Sequence, residues 1–370
     1  MSTTSIQKPA NKSKPAQPAP ASAGTSRASS KSGAVTSYKA WVANAVKGPM
    51  VLETIEPGPL AGEEVEIAVE HCGLCHSDLS ILNNEFGNAK YPAILGHEVI
   101  GRVTAMGPNA KGLEIGQRVG VGWDSGSCMH CRQCMSGSHH LCPEVQPTIL
   151  GHRGGFASHI RSHWAWAFPL PEKLNLADAG PLLCGGIAVF APLAMYAKPT
   201  GRVGIIGIGG LGHMAVKFAA AYGCDVTAFT SDESKFAEAK GFGANHVVST
   251  KDTAGIKKLA GSLDLLINTV NVPLDWNALI EALAPNGRLH LLGIVLDPIP
   301  VGTFSLIKAQ RSVSGSPVGS PVATQTMLDF AARHNIAPQT EHFPMSQINE
   351  AFARLAAGKA RYRIVLDADF

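Results

Sequence analysis

The chain has 370 residues, 45% of them hydrophobic, and a formal net charge of +3. Residues 1–37 contain five lysines and arginines and no acidic residue, so the remainder carries 26 cations against 28 acids. This near-neutral body lacks the basic surface expected of a nucleic-acid binder, and no run of about 20 apolar residues could cross a membrane. The length suits two domains.

The first segment, residues 1–37, is rich in proline, alanine, serine and lysine and has almost no large apolar residue. Such a composition cannot bury enough surface to offset the entropy of ordering, which predicts a disordered tail. A serine-rich, basic start without acids also resembles an organelle transit peptide, although the amphipathic arginine-rich pattern is missing. Ordered structure is expected to begin near Tyr38.

Short alternating stretches such as "EVEIAVEHCG" lie between Val65 and Val121, separated by glycine-rich turns, and predict a run of strands. Side chains that could bind a metal occur in three places, and they are Cys72, Cys75, His76 and Asp78, then His97 and Glu98, and finally Cys184. Together they can supply two thiolates and one imidazole, as in catalytic zinc sites that keep one position open. Cys72 and Cys75 form a C-x2-C pair, but such a site needs only one of them.

The loop "CMHCRQCMSGSHHLC" holds four more cysteines, namely Cys128, Cys131, Cys134 and Cys142. Four thiolates can enclose a tetrahedral Zn²⁺ and leave no position for substrate, which favours a structural zinc site. The spacing, with a proline after the last cysteine, also fits an iron–sulfur ligand run. A nucleic-acid-binding zinc ribbon is a third interpretation, weakened by the near-neutral charge. Clustered thiols suit a reducing compartment, so we expect a cytoplasmic protein.

After Gly185 the pattern changes to buried strands that alternate with helical stretches. The predicted strands are "RVGIIGIG", "DVTAFT", "HVVST", "DLLINTV" and "RLHLLGIV". The predicted helices "GHMAVKFAAAYG", "ESKFAEAKGFG" and "DWNALIEALAPNG" end at glycine or at Pro-Asn-Gly. The alternation predicts an α/β unit with a doubly wound parallel sheet. The final stretch, "AFARLAAGKARYRIVLDADF", is predicted as a helix and one strand that could return to the first domain.

The first strand and helix of this unit are joined by "GIGGLGH", which contains Gly207, Gly209, Gly210 and Gly212. Glycines in this context permit a tight turn and let backbone amides approach a pyrophosphate at the helix N-terminus. The position between a predicted strand and helix, with further βα units after it, indicates dinucleotide binding rather than a simple turn.

The next predicted strand ends in "AFTSDESK". NAD sites usually place an acidic residue here for the ribose 2′-hydroxyl. This chain has Thr230 and Ser231 instead, followed by Lys235, and small hydroxyls with a cation can accommodate a 2′-phosphate. Asp232 and Glu233 stand close by, but the pattern favours NADP.

In combination, "CGLCHSD", "GHEVIG", the four-cysteine loop, "GPLLCGG", "GIGGLGH" and "FTSDESK" carry a specific resemblance. From about Tyr38 to its end, the chain resembles a zinc-dependent medium-chain alcohol dehydrogenase of the cinnamyl-alcohol-dehydrogenase group, close to bacterial NADP-dependent members. The resemblance implies a GroES-like β-rich catalytic domain, residues 38–182 with residues 321–370 returning to it, and a Rossmann coenzyme domain, residues 183–320. It also implies a homodimer that binds neither nucleic acid nor membrane.

The same resemblance assigns site residues. Cys75, His97 and Cys184 would bind a catalytic zinc, with Glu98 as an alternate ligand and Cys72 as a bystander. The four-cysteine loop would hold a structural zinc. Ser77 would transfer the alcohol proton, Asp78 would orient His97, and His76 would approach the cofactor phosphates. The remaining cofactor positions implied are Gly207, Gly209, Gly210, Leu211, Gly212, Thr230, Ser231, Lys235, Thr269 and Gly293.

Three positions depart from the family pattern. Ser80 stands where many relatives have the histidine that ends the proton relay, Ala188 replaces a threonine near the cofactor, and Pro317 replaces an aromatic of the plant pocket. We therefore expect hydride transfer between NADP(H) and a broad range of primary alcohols or aldehydes rather than a lignin-pathway role. The alternative is a catalytically silent, dinucleotide-binding redox sensor with structural zinc.

Overall fold

The computed structural model describes residues 33–370. The predicted tail falls largely on residues 1–32, which lie outside the described residues. Within the described part, none of the helices combines the length and the apolar character needed to span a membrane.

The first part of the chain is rich in short strands, as its alternating pattern predicts. Its strands are β1 (Tyr38–Ala43), β2 (Met50–Ile55), β3 (Glu64–Leu74), β4 (Ala93–Ile94), β5 (Val99–Met106), β6 (Arg118–Val121), β7 (Asp124–Gly126), β8 (Gln146–Pro147), β9 (His159–His163) and β10 (Ala167–Pro169). Two helices interrupt them, α1 (His76–Leu82) and α2 (Arg132–Met135). The long strand β3 pairs with β5 and β9, both antiparallel, and buries one face in an apolar core.

The second part forms a six-stranded parallel sheet with flanking helices. Its elements are α3 (Gly185–Tyr196), β11 (Arg202–Ile206), α4 (Gly212–Ala221), β12 (Asp225–Thr230), α5 (Phe236–Gly241), β13 (His246–Ser249), α6 (Thr253–Lys258), β14 (Leu263–Asn268), α7 (Trp276–Ala282), β15 (Leu283–Leu291), α8 (Thr303–Ile307) and β16 (Ser312–Gly315). The strand order is β13-β12-β11-β14-β15-β16. This is the doubly wound order in which a dinucleotide binds where the strand order reverses, beside β11 and β14.

One predicted boundary is wrong. The helix expected to end at Pro-Asn-Gly ends earlier, at Ala282, and residues 285–287 lie within β15. The reason is strand pairing, because Leu283 is already in register with Leu263 of β14 and therefore has an extended backbone. The asparagine of the signal, Asn286, has a φ of 62° and gives a local irregularity instead of a helix end.

The last part of the chain contains α9 (Pro321–His334), β17 (Thr340–Pro344), α10 (Ile348–Ala356) and β18 (Arg363–Asp367). Strand β18 pairs antiparallel with β3 and parallel with β17, so the chain returns to the first sheet as the C-terminal pattern indicates. Helix α9 buries Met327 and Leu328 in the same apolar cluster as Val203 of β11. The exact domain boundaries at residues 182 and 320 stay a prediction.

Candidate functional site

A cleft of about 1240 Å³ runs from the glycine loop to the predicted catalytic ligands. The carboxyl ends of β11, β12, β14 and β15 line one side, and the start of α1 lines the other. Arg363, the first residue of β18, lies in the same cleft, as does Tyr362, the residue just before it. The fold therefore brings the two predicted functional regions together in one space.

Two thiols and one imidazole meet beside this cleft, which one of them, Cys75, lines. Cys75 and Cys184 precede the first turns of α1 and α3, and His97 lies just before β5. The two Sγ atoms are 3.9 Å apart, and the Nε2 atom of His97 is 3.3 Å from the Sγ of Cys184. Together with a carboxylate oxygen of Glu98, these buried donor atoms all lie within 4.8 Å of one another. Cys72 is buried but outside this group.

Asp78 holds this group in place from behind. Its carboxylate accepts hydrogen bonds from the backbone N–H groups of Cys75 and Gly96, each at 2.9 Å, and contacts Nδ1 of His97 at 3.0 Å. Because the carboxylate is an acceptor, Nδ1 would keep its proton in the neutral ring that binds a metal, and the lone pair of Nε2 would then face the thiols. Burial alone would lower the pKa of His97, but the charge of Asp78 raises this pKa well above its ordinary value.

The pKa values of the two buried thiols of the ligand group, Cys75 and Cys184, shift in opposite directions. Hydrogen bonding from Cys184 lowers the pKa of Cys75 well below its ordinary value, and the same contact raises the pKa of Cys184. Cys75 is therefore the first thiolate of the pair. Burial raises the pKa of Cys72, which keeps that side chain a neutral thiol.

Glu98 stands behind the ligand group and is paired with an arginine that the sequence did not point to. The side chain of Arg363 donates from Nη2 to Oε1 of Glu98, and both side chains are buried. Within the described residues the other oxygen, Oε2, has no hydrogen-bond partner. A Cβ atom at Gly73 would come within 2.0 Å of that oxygen. Burial raises the pKa of Glu98 to about 8, although the charge of Arg363 opposes this rise.

The four cysteines of the loop form a separate cluster. The Sγ atom of Cys128 lies 4.0 Å from that of Cys134 and 3.5 Å from that of Cys142, and the Sγ atoms of Cys131 and Cys142 are 3.8 Å apart. Four sulfurs around one tetrahedral zinc ion would be about 3.8 Å apart. The backbone N–H of Cys134 lowers the pKa of Cys131 to about 7, which favours the thiolate. The cluster therefore has both the dimensions and the chemistry of a closed zinc site.

The glycine loop is tightly packed at Gly207 and Gly212 and open at Gly209. Gly207 has a φ of 89°, and a Cβ atom at Gly212 would stand 1.7 Å from the carbonyl oxygen of Gly207. A Cβ atom at Gly209 would meet nothing within 4 Å, so this residue faces open space in the cleft. The loop thus has a tight turn and an uncovered side where a pyrophosphate can approach the start of α4.

The other predicted cofactor residues occupy the same cleft. Its lining includes Gly210, Leu211, Thr269 and Gly293, and also His76 at the start of α1. The hydroxyl of Thr269 donates to the carbonyl oxygen of Ile206 at 2.8 Å, which ties β14 to the end of β11.

Three residues at the end of β12 form the predicted phosphate pocket. Thr230 is buried, Ser231 is exposed, and both line the cleft with Lys235. Lys235 lies in a short 3₁₀ turn before α5, not in the helix itself. Its Nζ donates to the carbonyl oxygen of Ile208 at 2.9 Å, which holds the cation against the glycine loop.

The proton-transfer region contains two serines of α1. Ser77 lines the cleft, with its Oγ 3.8 Å from the Sγ of Cys75. Ser80 also lines the cleft, and its hydroxyl donates to Glu85 at 2.7 Å. Pro317 is exposed and Ala188 is buried in α3, and neither lines the cleft.

Comparison with known proteins shows the family. Residues 61–172 match the pattern described as "Alcohol dehydrogenase GroES-like domain", and residues 210–333 match "Zinc-binding dehydrogenase". Aldehyde reductase AdhA from Synechocystis sp. is 50% identical over 329 residues, covering 89% of this chain and 98% of that protein. The chain belongs to the cinnamyl-alcohol-dehydrogenase group of medium-chain alcohol dehydrogenases.

Other members of the cinnamyl-alcohol-dehydrogenase group support this assignment. Probable cinnamyl alcohol dehydrogenase 6 from Arabidopsis thaliana is 38% identical, covering 82% of this chain and 87% of that protein. A cinnamyl alcohol dehydrogenase structure from Sorghum bicolor has a TM-score of 0.86 and 36% identity, covering 90% of this chain and 97% of the other. A Helicobacter pylori structure, titled as complexed with NADP(H), has a TM-score of 0.82, 30% identity and coverages of 90% and 98%.

Membership of the cinnamyl-alcohol-dehydrogenase group settles the reaction class. The predicted GroES-like and Rossmann domains are confirmed, and the chain is an alcohol dehydrogenase or aldehyde reductase. The alternative of a silent redox sensor is not supported.

Sequence reasoning missed Arg363 and also Trp123, whose indole ring contacts the His97 ring edge-on at a centroid distance of 5.0 Å. An arginine within the apolar stretch "RIVL" was the available signal for Arg363.

Proposed function

We propose that this protein reduces aldehydes, and oxidises primary alcohols, with NADP(H) and a catalytic zinc ion. The observation that carries the proposal is the cleft that joins the glycine loop to Cys75, whose donor atom is grouped with those of His97 and Cys184. The names of the relatives, aldehyde reductase and cinnamyl alcohol dehydrogenase, support the same substrate class. A panel of aldehydes, assayed by the loss of NADPH absorbance, tests it directly; no turnover of any aldehyde or alcohol would refute it.

The donor sets fit two zinc ions. Cys75, His97 and Cys184 supply two sulfurs and one nitrogen from three chain segments, the set typical of catalytic sites with an open position. The four-cysteine cluster supplies a closed set. Zinc bound at the first site would supply Lewis-acid polarisation of the substrate oxygen, while zinc bound at the second would stabilise the loop.

The protein's own groups then have separate tasks. Asp78 fixes the tautomer of His97, Glu98 is an alternate ligand behind the site, and Arg363 holds Glu98 by a hydrogen bond. His76 lies where it can contact the cofactor phosphates. Ser77 is the hydroxyl placed to move a proton at the substrate oxygen when hydride passes between the substrate carbon and the nicotinamide.

Loss of the Ser77 hydroxyl should slow catalysis strongly. Ser77→Ala is expected to lower kcat for aldehyde reduction by about 10²-fold, the effect of a positioned proton-transfer group. Ser80→Ala is the matched control on the same helix, because its hydroxyl is already engaged by Glu85, and it should change kcat little. The measurement is steady-state kinetics, with a deuterated cofactor to show that hydride transfer limits turnover. An unchanged kcat in Ser77→Ala under that condition would remove Ser77 from the mechanism.

The end of β12 supports NADP(H) as the cofactor. Neither Thr230 nor Ser231 carries a negative charge, so a 2′-phosphate meets no repulsion from them. Lys235 is held nearby by the carbonyl oxygen of Ile208, and its Nζ would supply a cation for the phosphate. Asp232 is turned toward Ser234, with its carboxylate accepting from the backbone N–H of Ser234 at 3.0 Å.

Removal of the Lys235 cation should weaken NADPH selectively. Lys235→Ala is expected to raise KM for NADPH by roughly 10- to 150-fold, as for the loss of a charge-assisted hydrogen bond of about 1.5–3 kcal/mol. KM for NADH should change little, and Lys240→Ala, an exposed lysine on α5 outside the cleft, should leave both values alone. Equal weakening of both cofactors by Lys235→Ala would place the phosphate pocket elsewhere.

A second substitution tests the same pocket by adding a negative charge instead of removing a positive one. Ser231→Asp adds a charge that repels a 2′-phosphate and an acceptor for a free ribose hydroxyl. The preference should therefore move toward NADH. Wild-type protein that uses NADH as well as NADPH would contradict the assignment.

Exposed apolar side chains in the cleft lining support a broad range of aldehydes and alcohols. They are Phe86, Val272, Ile294 and Leu296, and apolar groups cannot form the hydrogen bonds that select one substrate. Specificity for one substrate would require buried polar partners that reject analogues.

We also infer a homodimer in the cytoplasm. Strand β16 is an edge of the parallel sheet, and next to it α8 exposes 73% of Phe304 and 74% of Ile307. An uncovered apolar surface beside a strand edge is typical of an interface between subunits. Sedimentation analysis of the wild-type protein tests the dimer, and a monomer at micromolar concentration would refute it.

The clustered cysteines support the cytoplasm as the location, because thiols stay reduced in that compartment.

A further inference from the structure

A second cavity, of about 540 Å³, lies beside the four-cysteine cluster and away from the catalytic cleft. Three glutamates and two histidines line it, namely Glu63, Glu64, Glu144, His152 and His163. Its lining, as far as the structure describes the chain, contains no lysine or arginine. A concave surface with charges of one sign concentrates ions of the opposite sign. The cavity therefore attracts cations, and its wall includes Cys128 of the four-cysteine cluster.

A three-residue donor group stands at this wall. Cys128, His130 and Glu144 place one donor atom each within 4.8 Å of one another. His130 and Glu144 are exposed, whereas Cys128 is partly buried. Thiolate, imidazole and carboxylate are all ligands of Zn²⁺ and similar divalent ions. We call this group the outer triad.

The ring of His130 is already oriented for metal binding. Its Nδ1 lies 2.6 Å from the carbonyl oxygen of Cys128, and because a carbonyl only accepts, Nδ1 carries the proton and donates. The lone pair is therefore on Nε2. Histidines that bind metals almost always donate their other ring N–H to such a partner.

Cys128 belongs to both groups, and the two groups differ in access. Cys134 and Cys142 are only 3% and 4% exposed, whereas Cys128 and Glu144 line the cavity and His130 is exposed next to them. The Sγ atom of Cys128 is 3.5 Å from that of Cys142. An ion that arrives through the cavity therefore has Cys128 and Glu144 in its wall, and these donors are more accessible than the buried sulfurs of Cys134 and Cys142.

We propose that the outer triad is a receiving site for a divalent metal ion, which then passes to the four-cysteine cluster. The ion keeps its bond to the Cys128 sulfur throughout. It exchanges the His130 nitrogen, the Glu144 oxygen and one bound water for the sulfurs of Cys131, Cys134 and Cys142, and the water returns to solvent. The cysteine protons leave to solvent as the thiolates bind, and no oxidation or reduction occurs. This inference rests on the proposed function in one respect, since it takes the four-cysteine cluster as a zinc site.

The kinetics of metal uptake by the metal-free full-length protein test the proposal. Co²⁺ alone is the probe, because a cobalt ion with four thiolates gives an intense sulfur-to-metal charge-transfer absorption that can be followed by stopped flow under reducing conditions. His130→Gln and Glu144→Gln should each slow uptake by about tenfold, as expected for the loss of one group that supports a metal site. Uptake and release pass through the same intermediate, so the release of Co²⁺ to a chelator should slow by the same factor. The final cobalt content should be unchanged.

Three matched variants serve as controls. Gln133→Ala changes the exposed surface of the same loop, and His334→Gln and Glu172→Gln remove an exposed imidazole and an exposed carboxylate elsewhere. None of these residues belongs to the outer triad or lines the cavity, so each variant should take up Co²⁺ at the wild-type rate.

The possible outcomes separate this proposal from the proposed function. Wild-type rates of uptake and release in both His130→Gln and Glu144→Gln would overturn the receiving site while leaving the structural zinc in place. Reduced final cobalt content in these variants would also overturn it, because the two residues would then be permanent ligands. Absence of a four-thiolate cobalt spectrum in wild-type protein would refute the structural metal site itself.

Discussion

Cys184→Ala should reduce kcat/KM for aldehyde reduction by about 10³-fold or more while the protein stays folded. The substitution removes one of the three donors grouped beside the cleft, and metal polarisation of a substrate oxygen contributes several kcal/mol to transition-state stabilisation. The measurements are steady-state kinetics, circular dichroism and elemental analysis. We expect one zinc ion per chain to remain, in the four-cysteine cluster.

Cys131→Ala is the matched control, because it removes one thiol from the other cluster. This variant should lose the zinc of the loop and unfold at a lower temperature, since a structural zinc contributes directly to folding. Its catalytic zinc should remain. Equal and purely catalytic losses in the two variants would contradict this division, as would iron and acid-labile sulfide in the wild-type protein.

Asp78→Ala should lower the free energy of unfolding by about 2–6 kcal/mol. The substitution leaves the buried N–H groups of Cys75 and Gly96 without acceptors, and each buried donor left unpaired costs about 1–3 kcal/mol. It also frees the ring of His97, so affinity for the catalytic zinc should fall by roughly 10- to 100-fold. Urea unfolding and metal competition measure the two effects.

Asp78→Asn separates the two roles. The amide keeps the size of the side chain and one acceptor oxygen, so the stability loss should be smaller than in Asp78→Ala. Zinc affinity should still fall, because an uncharged amide holds the Nδ1 proton of His97 less strongly. If Asp78→Ala had the stability of the wild-type protein, the hydrogen bonds of this carboxylate to the backbone would contribute nothing to the free energy of unfolding.

Local patterns were sufficient to predict much of the fold. The parallel sheet follows from strands and helices that alternate at short spacing, and the glycine loop lies between two of them. The donors at Cys75, His97 and Cys184 were found because each sits in a recognisable short motif. Their role as zinc ligands stays a prediction, although the structure brings their donor atoms together.

Interactions that depend on strand register could not be predicted. Glu98 and Arg363 are 265 positions apart, and they meet only because β18 pairs with β3 in one register. The early end of α7 has the same cause. The pairing of Leu283 with β14 ends the helix before the Pro-Asn-Gly sequence is reached. The contact of Lys235 with Ile208 depends on where the chain turns after β12. Such contacts leave no periodicity in the sequence.

The pairing of Glu98 with Arg363 also sets an order of events during translation. A ribosome that adds about 5–20 residues per second needs roughly 13–53 s to synthesise the 265 positions that separate the two side chains. Throughout that interval the nascent first sheet lacks β18, and the side chain of Glu98 lacks its arginine partner. Strand β3 then presents an open edge on the side that β18 later occupies, where another chain could pair with it. Chaperone binding to this unfinished sheet would be most useful until the last strand emerges.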